Sequence, residues 1–385
     1  MGELNWLQRK VFRKKQNKTS AQYNAISPLT AKDDDEFGNN PILNPSLFQG
    51  DMFLTESQLD KVIDDTIKKK MELPYLGSIV ASMYYKWVFP IKYYLSPVFP
   101  ATIVTTINTA LAAIQANTCI RSARQYSPIV GFPGINVIKG NGCWCYVGQI
   151  YANAPQDLSI GEGCQYNGII QHEFTHALGI QHEQSRPDRD TYVNIYPANM
   201  QAGAEAQYTK SSVSSVKDFG VGFDMGSDML YFSTAFSANG QKTMAPKNAI
   251  YDQVFGQRAQ LSFCDYKILN YNYCNATCAT KITCYNGGIQ NPNSCTQCMC
   301  PNGFTDTYCY VLKKGTGAYC GATELYANTT VQSLFRSGPY NCYLRIKTDA
   351  GYKIKMNLQY VNLNYGTPCP VGNGLQGLLS AAILM

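Results

Sequence analysis

The chain has 385 residues, room for two or three domains, and its 45% apolar content marks a globular rather than a disordered protein. Its 32 basic and 26 acidic side chains leave a net charge of +6, but residues 1–18 alone hold Arg9, Lys10, Arg13, Lys14, Lys15 and Lys18 against Glu3. The remainder is close to neutral, which excludes a nucleic-acid binder dependent on a basic folded face.

Residues 1–50 add an acidic run, Asp33 to Glu36, and several Pro, Asn and Gly, a composition that predicts a largely disordered stretch. A helix is predicted over 56–70. Thr55 and Gln58 can form a capping box, Leu59, Val62, Ile63 and Ile67 share one face, and Lys68, Lys69 and Lys70 suit the C-terminal dipole. The tyrosine-rich region 73–94 is broken by Lys86, Pro90 and Lys92, so no membrane span is expected there or elsewhere. A second helix is predicted over 101–116, with Ile103, Ile107, Leu111 and Ile114 on one stripe. Strands follow at 135–139 and 144–150, around a Gly140–Asn141–Gly142 turn. A third helix carries the histidines described next, and a fourth starts at Ser262 with Asp265 as its capping partner. The region 275–319 is turn-rich and cysteine-dense. From 340 strands are predicted, because Tyr352, Ile354, Met356, Leu358 and Tyr360 alternate with polar residues.

The chain has three histidines, His172, His176 and His182, all within eleven residues. His172 and His176 are four apart on a helix, so both imidazoles project from one face. Gly179 allows the chain to leave the helix with positive φ, and His182 can then return as a third ligand. Three neutral imidazoles leave one zinc position open, the pattern of a catalytic rather than a structural site. Glu173 is adjacent and can reach a water there without ligating the metal. These residues predict a zinc hydrolase.

The run from His172 to Ile195 resembles the astacin family of zinc metalloproteases, whose signature continues past the third histidine. Here that continuation is His182, Glu183, Arg186, Asp188, Arg189 and Asp190. Further similar blocks extend over about 84–274: Lys86–Trp87, Phe89–Pro90–Ile91, Thr118–Cys119–Ile120–Arg121, Gly142–Cys143–Trp144, and Gly256–Gln257–Arg258 with Leu261, Ser262 and Asp265. Ser227–Asp228–Met229–Leu230–Tyr231 resembles the family's Met-turn, with Leu230 where histidine is usual. The resemblance implies an α+β, two-lobed metzincin domain at 71–274 with one zinc in its cleft, held by His172, His176 and His182. It makes Glu173 the general base and Tyr231 a weak ligand that stabilises the oxyanion. Met229 becomes the apolar floor beneath the metal, and Glu183 the contact of a new N-terminus after activation. Phe48–Gln49–Gly50–Asp51 resembles the F-x-G-D motif of astacin propeptides. Residues 1–70 would then be a propeptide whose Asp51 occupies the metal in the latent form only, removed by cleavage between Lys68 and about Tyr84.

The six cysteines from Cys278 to Cys309 end in C-x-C, eight residues and a last Cys, and 275–310 resembles an EGF-like module. Residues 320–385 resemble the start of a CUB domain, a truncated β-sandwich. The implied disulfides are Cys119–Cys274, Cys143–Cys164, Cys278–Cys295, Cys284–Cys298, Cys300–Cys309 and Cys320–Cys342. Cys145, Cys264 and Cys369 are left over, and Cys145 and Cys264 either pair with each other or stay free. Fifteen cysteines argue for an oxidising compartment and a secreted protein, although no signal peptide is visible at residues 1–15. Asn275 and Asn328 lie in N-x-[ST] sequons that suit a glycoprotein. The expected partners are protein or peptide substrates, with an extracellular partner for the EGF/CUB region. The alternative is a catalytically silent secreted binding protein on the same scaffold.

Overall fold

The structure, a computed structural model, describes residues 41, 43–44, 47–55, 57–62, 78–80, 85–252, 254–316, 320, 323–335 and 342–357. The expectations for residues 1–40, the second half of the 56–70 helix, Lys68 to Lys70, and Cys369 lie outside the described residues. The chain divides into two units at Cys274 and Asn275.

The first unit is built on a six-stranded sheet in the order β1 (Met52–Phe53), β6 (Cys143–Tyr146), β7 (Gln156–Ile160), β5 (Ile135–Ile138), β3 (Ile91–Leu95), β4 (Ser122–Gln125). All neighbours run parallel except β6 and β7. Helix α1 (Ala101–Asn117) presents Ile107, Ala110, Leu111 and Ile114 to the core. It ends where Thr118 turns extended and its hydroxyl donates to the Ile114 carbonyl at 2.7 Å. Ile135 and Val137 of β5 and Leu158 and Ile160 of β7 are fully enclosed in the same core, each stabilising the fold by about 1.5–3 kcal/mol.

Helix α2 (Asn167–Ala177) is buried at every residue from Gly168 onward. Gly168 makes this possible: a Cβ there would meet the Arg258 carbonyl oxygen at 2.0 Å. Beyond α2 the unit is mostly 3-10 turns and two strand pairs, β2 (Ile79–Val80) with β9 (Val216–Lys217) and β8 (Val193–Ile195) with β10 (Met244–Pro246). Helix α3 (Phe263–Leu269) closes the unit, started by a complete capping box between Ser262 and Asp265.

Two expectations need correction here, and one left open is decided. The strand predicted at 144–150 stops at Tyr146, because the chain turns at Gly148 (φ +77°) and its N–H donates to the His176 carbonyl at 2.9 Å. Disorder over 1–50 does not hold for the described residues 43, 44 and 47–50, all of which are buried. Leu47 and Phe53 pack on Trp144, and Phe48, Met52 and Leu54 pack with Leu59 and Val147. The charges that dominate the composition lie upstream of these apolar residues. Of the two alternatives for Cys145 and Cys264, the structure takes the unpaired one, because they sit in different surroundings: Cys145 lies near Glu173 and Asp157, whereas Cys264 on α3 lies near Asp224, Asp265 and Glu183.

The start of the predicted 56–70 helix is helical at 57–62, and its capping box is formed: Thr55 N–H donates to Gln58 Oε1 at 2.8 Å, and Gln58 N–H to Thr55 Oγ1 at 3.3 Å. Two disulfides, Cys119–Cys274 and Cys143–Cys164, cross-link the unit. No helix among the described residues is long and apolar enough to cross a membrane.

The second unit is disulfide-rich. Cys278–Cys295, Cys284–Cys298, Cys300–Cys309 and Cys320–Cys342 are bridged. Among the described residues the unit has two-stranded ladders: β11 (Ile289–Gln290) with β12 (Cys298–Met299), β13 (Phe304–Thr305) with β14 (Val311–Leu312), and β15 (Glu324–Tyr326) with β16 (Arg345–Lys347). The alternating residues 352–357 form no strand. All six are exposed, so neither face of the alternation packs on anything among the described residues.

Candidate metal centre

The histidines converge because α2 and the turn after it hold them so. His172 and His176 stand one turn apart on α2, and Gly179 (φ +95°) reverses the chain so that His182 comes back to them. The Nε2 atoms of His172 and His176 are 3.1 Å apart, and those of His172 and His182 3.3 Å. Asp51 enters from the N-terminal segment. Its Oδ2 lies 3.1 Å from both His172 and His182 Nε2, and its Oδ1 3.6 Å from His176 Nε2. All four side chains are buried.

The tautomers follow from the partners. His172 Nδ1 is 2.9 Å from the Asp228 carbonyl oxygen and His176 Nδ1 2.7 Å from that of Ile180. A carbonyl can only accept, so both Nδ1 atoms carry protons and both Nε2 atoms present lone pairs. Burial pushes His172 down to about 3 and His182 down to about 4, so both rings are neutral near pH 7. Lone pairs and a carboxylate thus meet at one point without protons to share, an arrangement that only a cation reconciles. Tetrahedral zinc with ligands at about 2.0–2.1 Å sets them roughly 3.3–3.4 Å apart, close to the spacings found. The residues fit zinc.

Glu173 lies beside this cluster. Both its carboxylate oxygens are buried with no hydrogen-bond partner among the described residues. Burial, and then the Asp51 charge, raises its carboxyl well above the ordinary carboxylate value. The Tyr231 ring centroid is 4.8 Å from that of His182, and its hydroxyl donates to the Gln49 carbonyl. Met229 is fully buried and its carbonyl accepts from Glu183 N–H at 2.9 Å. Leu230, at the position where histidine is usual, is enclosed in the main apolar core.

Glu183 is already engaged, accepting from Asp224 N–H at 2.8 Å and facing Arg186 at 3.4 Å. Burial pushes its carboxyl up to about 8. Arg186 is the anchor of the segment after the third histidine: fully buried, it holds Asp188 through two 3.0 Å bonds and the Val221 carbonyl through two of 3.1 Å. Gln184 and Gln49 are site residues that the sequence did not single out. Gln184 Oε1 accepts from Tyr231 N–H at 3.1 Å, and Gln49 stands at the variable position of F-x-G-D.

Residues 79–274 match the peptidase family described as Astacin. The chain belongs to the astacin family. Zinc is the cofactor of its buried histidine triad. Among curated relatives of this astacin, it is 36% identical over 352 residues to "Zinc metalloproteinase nas-34" of Caenorhabditis elegans, covering 87% of this chain and 57% of that protein. It is 32% identical to "Zinc metalloproteinase nas-30" of the same organism, covering 88% and 45%. Among solved structures it is similar to High choriolytic enzyme 1, a hatching enzyme zinc-protease from Oryzias latipes, at 35% identity and a TM-score of 0.43, covering 48% of this chain and 88% of that one. The chain spans about half the length of the curated relatives it matches.

Proposed function

We propose that this astacin is a secreted zinc endopeptidase, made latent by its own N-terminal segment. The observation that carries the reading is the four-residue cluster: three imidazoles and the Asp51 carboxylate converge on one point, beside a buried glutamate with no hydrogen-bond partner among the described residues. Zinc, when bound there, supplies Lewis-acid polarisation of a carbonyl and an acidified water at neutral pH. His172, His176 and His182 hold the ion, with Asp51 as a fourth ligand until residues 41–62 leave. Glu173 takes the proton of the attacking water and delivers it to the departing amine. Tyr231, once released from the Gln49 carbonyl, donates its hydroxyl to the oxyanion. Met229 forms the apolar floor of the site, and Glu183 receives the new N-terminus.

The same reading extends to the rest of the chain. Residues 1–70 act as the propeptide, with Lys68, Lys69 and Lys70 the target of a trypsin-like activator. Residues 275–310 form an EGF-like module and 320–385 a partial CUB-like one, which engage an extracellular partner. Asn275 and Asn328 are both exposed and suit glycan attachment.

The deciding experiment is Glu173→Ala in trypsin-treated protein, measured against a protein substrate with metal content in parallel. One zinc per chain should remain, while kcat falls by about 10²–10⁴. Near wild-type turnover with zinc bound would remove Glu173 from the chemistry. Zinc binding with no turnover in the unmutated protein would favour a silent binding protein.

A further inference from the structure

The three zinc histidines are fastened in two different ways. The Nδ1 partners of His172 and His176 are backbone carbonyls of Asp228 and Ile180, both inside the protease domain. The Nδ1 partner of His182 is Oε1 of Gln49, 3.1 Å away, on the N-terminal segment. The amide orientation is not arbitrary, because Gln49 Nε2 donates to the Thr209 carbonyl at 3.0 Å and so turns Oε1 toward the imidazole. The backbone of the same residue does a second job: its carbonyl accepts the Tyr231 hydroxyl. Gln49 is only 1% exposed and sits at φ +47°, a left-handed backbone position that glycine adopts without strain. A glutamine there is explained by what its side chain holds.

We propose that Gln49 is a second latch beside Asp51, tying a zinc histidine with its side chain and the oxyanion tyrosine with its carbonyl. Departure of the segment then frees His182 and Tyr231 in one event. This rests on the reading of the site as a latent zinc protease, and it adds a consequence for the metal. Outer partners of a ligating histidine fix its tautomer, and their loss typically costs 10–100-fold in metal affinity. The unprocessed chain therefore binds zinc more tightly than the released protease, on account of Gln49 as well as Asp51.

The test is zinc affinity of the full, unprocessed chain by competition with a chromogenic chelator. Gln49→Leu should weaken binding about tenfold. Gln49→Gly, which suits the left-handed backbone, should do the same and serves if the leucine variant does not fold. Gln49→Glu keeps an acceptor for His182 while losing the donor to the Thr209 carbonyl, and should bind more tightly than the leucine variant. A glutamate variant as weak as the leucine one would reduce Gln49 to a packing element and overturn the proposal, as would wild-type affinity in both Gln49→Leu and Gln49→Gly. Tyr231→Phe removes the tie to the Gln49 carbonyl and should lower the affinity of the unprocessed chain no more than Gln49→Leu does; a loss as large as that of His176→Ala would place the hydroxyl on the metal and overturn the carbonyl half. Asp51→Ala separates the two levels. If it lowers affinity while the Gln49 variants do not, only the second latch fails. If neither Asp51→Ala nor His176→Ala lowers affinity, the zinc reading itself fails.

Discussion

The zinc-bearing unit and the cysteine-dense unit after it are held together by different forces. The first has one continuous apolar core that reaches from Leu43 and Ile79 through the sheet and α2 to Leu269, with two disulfides added. In the second, the buried apolar side chains among the described residues are Cys278, Cys298, Cys309 and Cys320 with Ile289, Pro292 and Pro301, so Ile289 is the one that is neither a cysteine nor a proline. Four disulfides stand where a core would be. The contrast explains where chemistry can reside. Dehydrating Asp51, Glu173 and three imidazoles together is costly, and only a unit with a thick core can offset it.

The largest effect that sharpens this contrast is loss of Cys119–Cys274, which closes a loop of 155 residues. The double serine variant should lose about 5 kcal/mol by chain-entropy reckoning, read as a lower melting temperature of the first unit. It should still fold and cleave at room temperature; a unit that does not fold would mean that the bridge, not the core, holds it. Next in size is Tyr231→Phe in processed protein, where removal of one oxyanion donor should lower kcat by about 10²–10³, or roughly 2.7–4 kcal/mol, with KM little changed. An effect confined to KM would make Tyr231 an ordinary substrate contact.

Opening Cys300–Cys309, a loop of 9 residues, is worth only about 3 kcal/mol, yet it should abolish amide-exchange protection across 284–312. Hydrolysis of a short peptide by the first unit should not change. Retained protection would reveal packing in the second unit beyond its disulfides. The smallest effect is Ser262→Ala, which removes the side chain that accepts from Asp265 N–H at 3.1 Å and should cost about 1 kcal/mol in a denaturant titration. A larger loss would show that Asp265, which also accepts from Ser227 Oγ and Asp228 N–H, braces the Met-turn through this cap.

Much of the first unit was legible from local pattern. The stripe Ile103, Ile107, Leu111, Ile114 placed α1 to within a residue, and the Ser262–Asp265 pair placed the start of α3. The second unit was less so: the alternation at 352–357 carried a strand signal, but the described chain offers it nothing to pack against. The buried course of residues 43–44 and 47–54 was hidden by the charged composition upstream, because the packing of Leu47, Phe48, Met52, Phe53 and Leu54 depends on Trp144 and Val147, more than ninety residues away.

The spacing of His172, His176 and His182, with Gly179 between the last two, was enough by itself to specify a zinc ligand set. Helical periodicity and one left-handed glycine are local properties, which eleven residues can encode. Which groups complete the set is a matter of closure over more than a hundred residues. Asp51 could be named from a four-residue motif, but its place among the three Nε2 atoms depends on β1 pairing in parallel with β6, where Cys145 N–H donates to the Asp51 carbonyl at 3.0 Å. Gln49 carried no signal at all. Its contacts with His182, Thr209 and Tyr231 exist only because the segment is pinned on both sides of the cleft, through Leu47 O to Gln207 and through Gln58 to the Val147 carbonyl. A side chain's hydrogen-bond partner across 133 residues is fixed by the packing of every element between, and the sequence around position 49 holds no record of it.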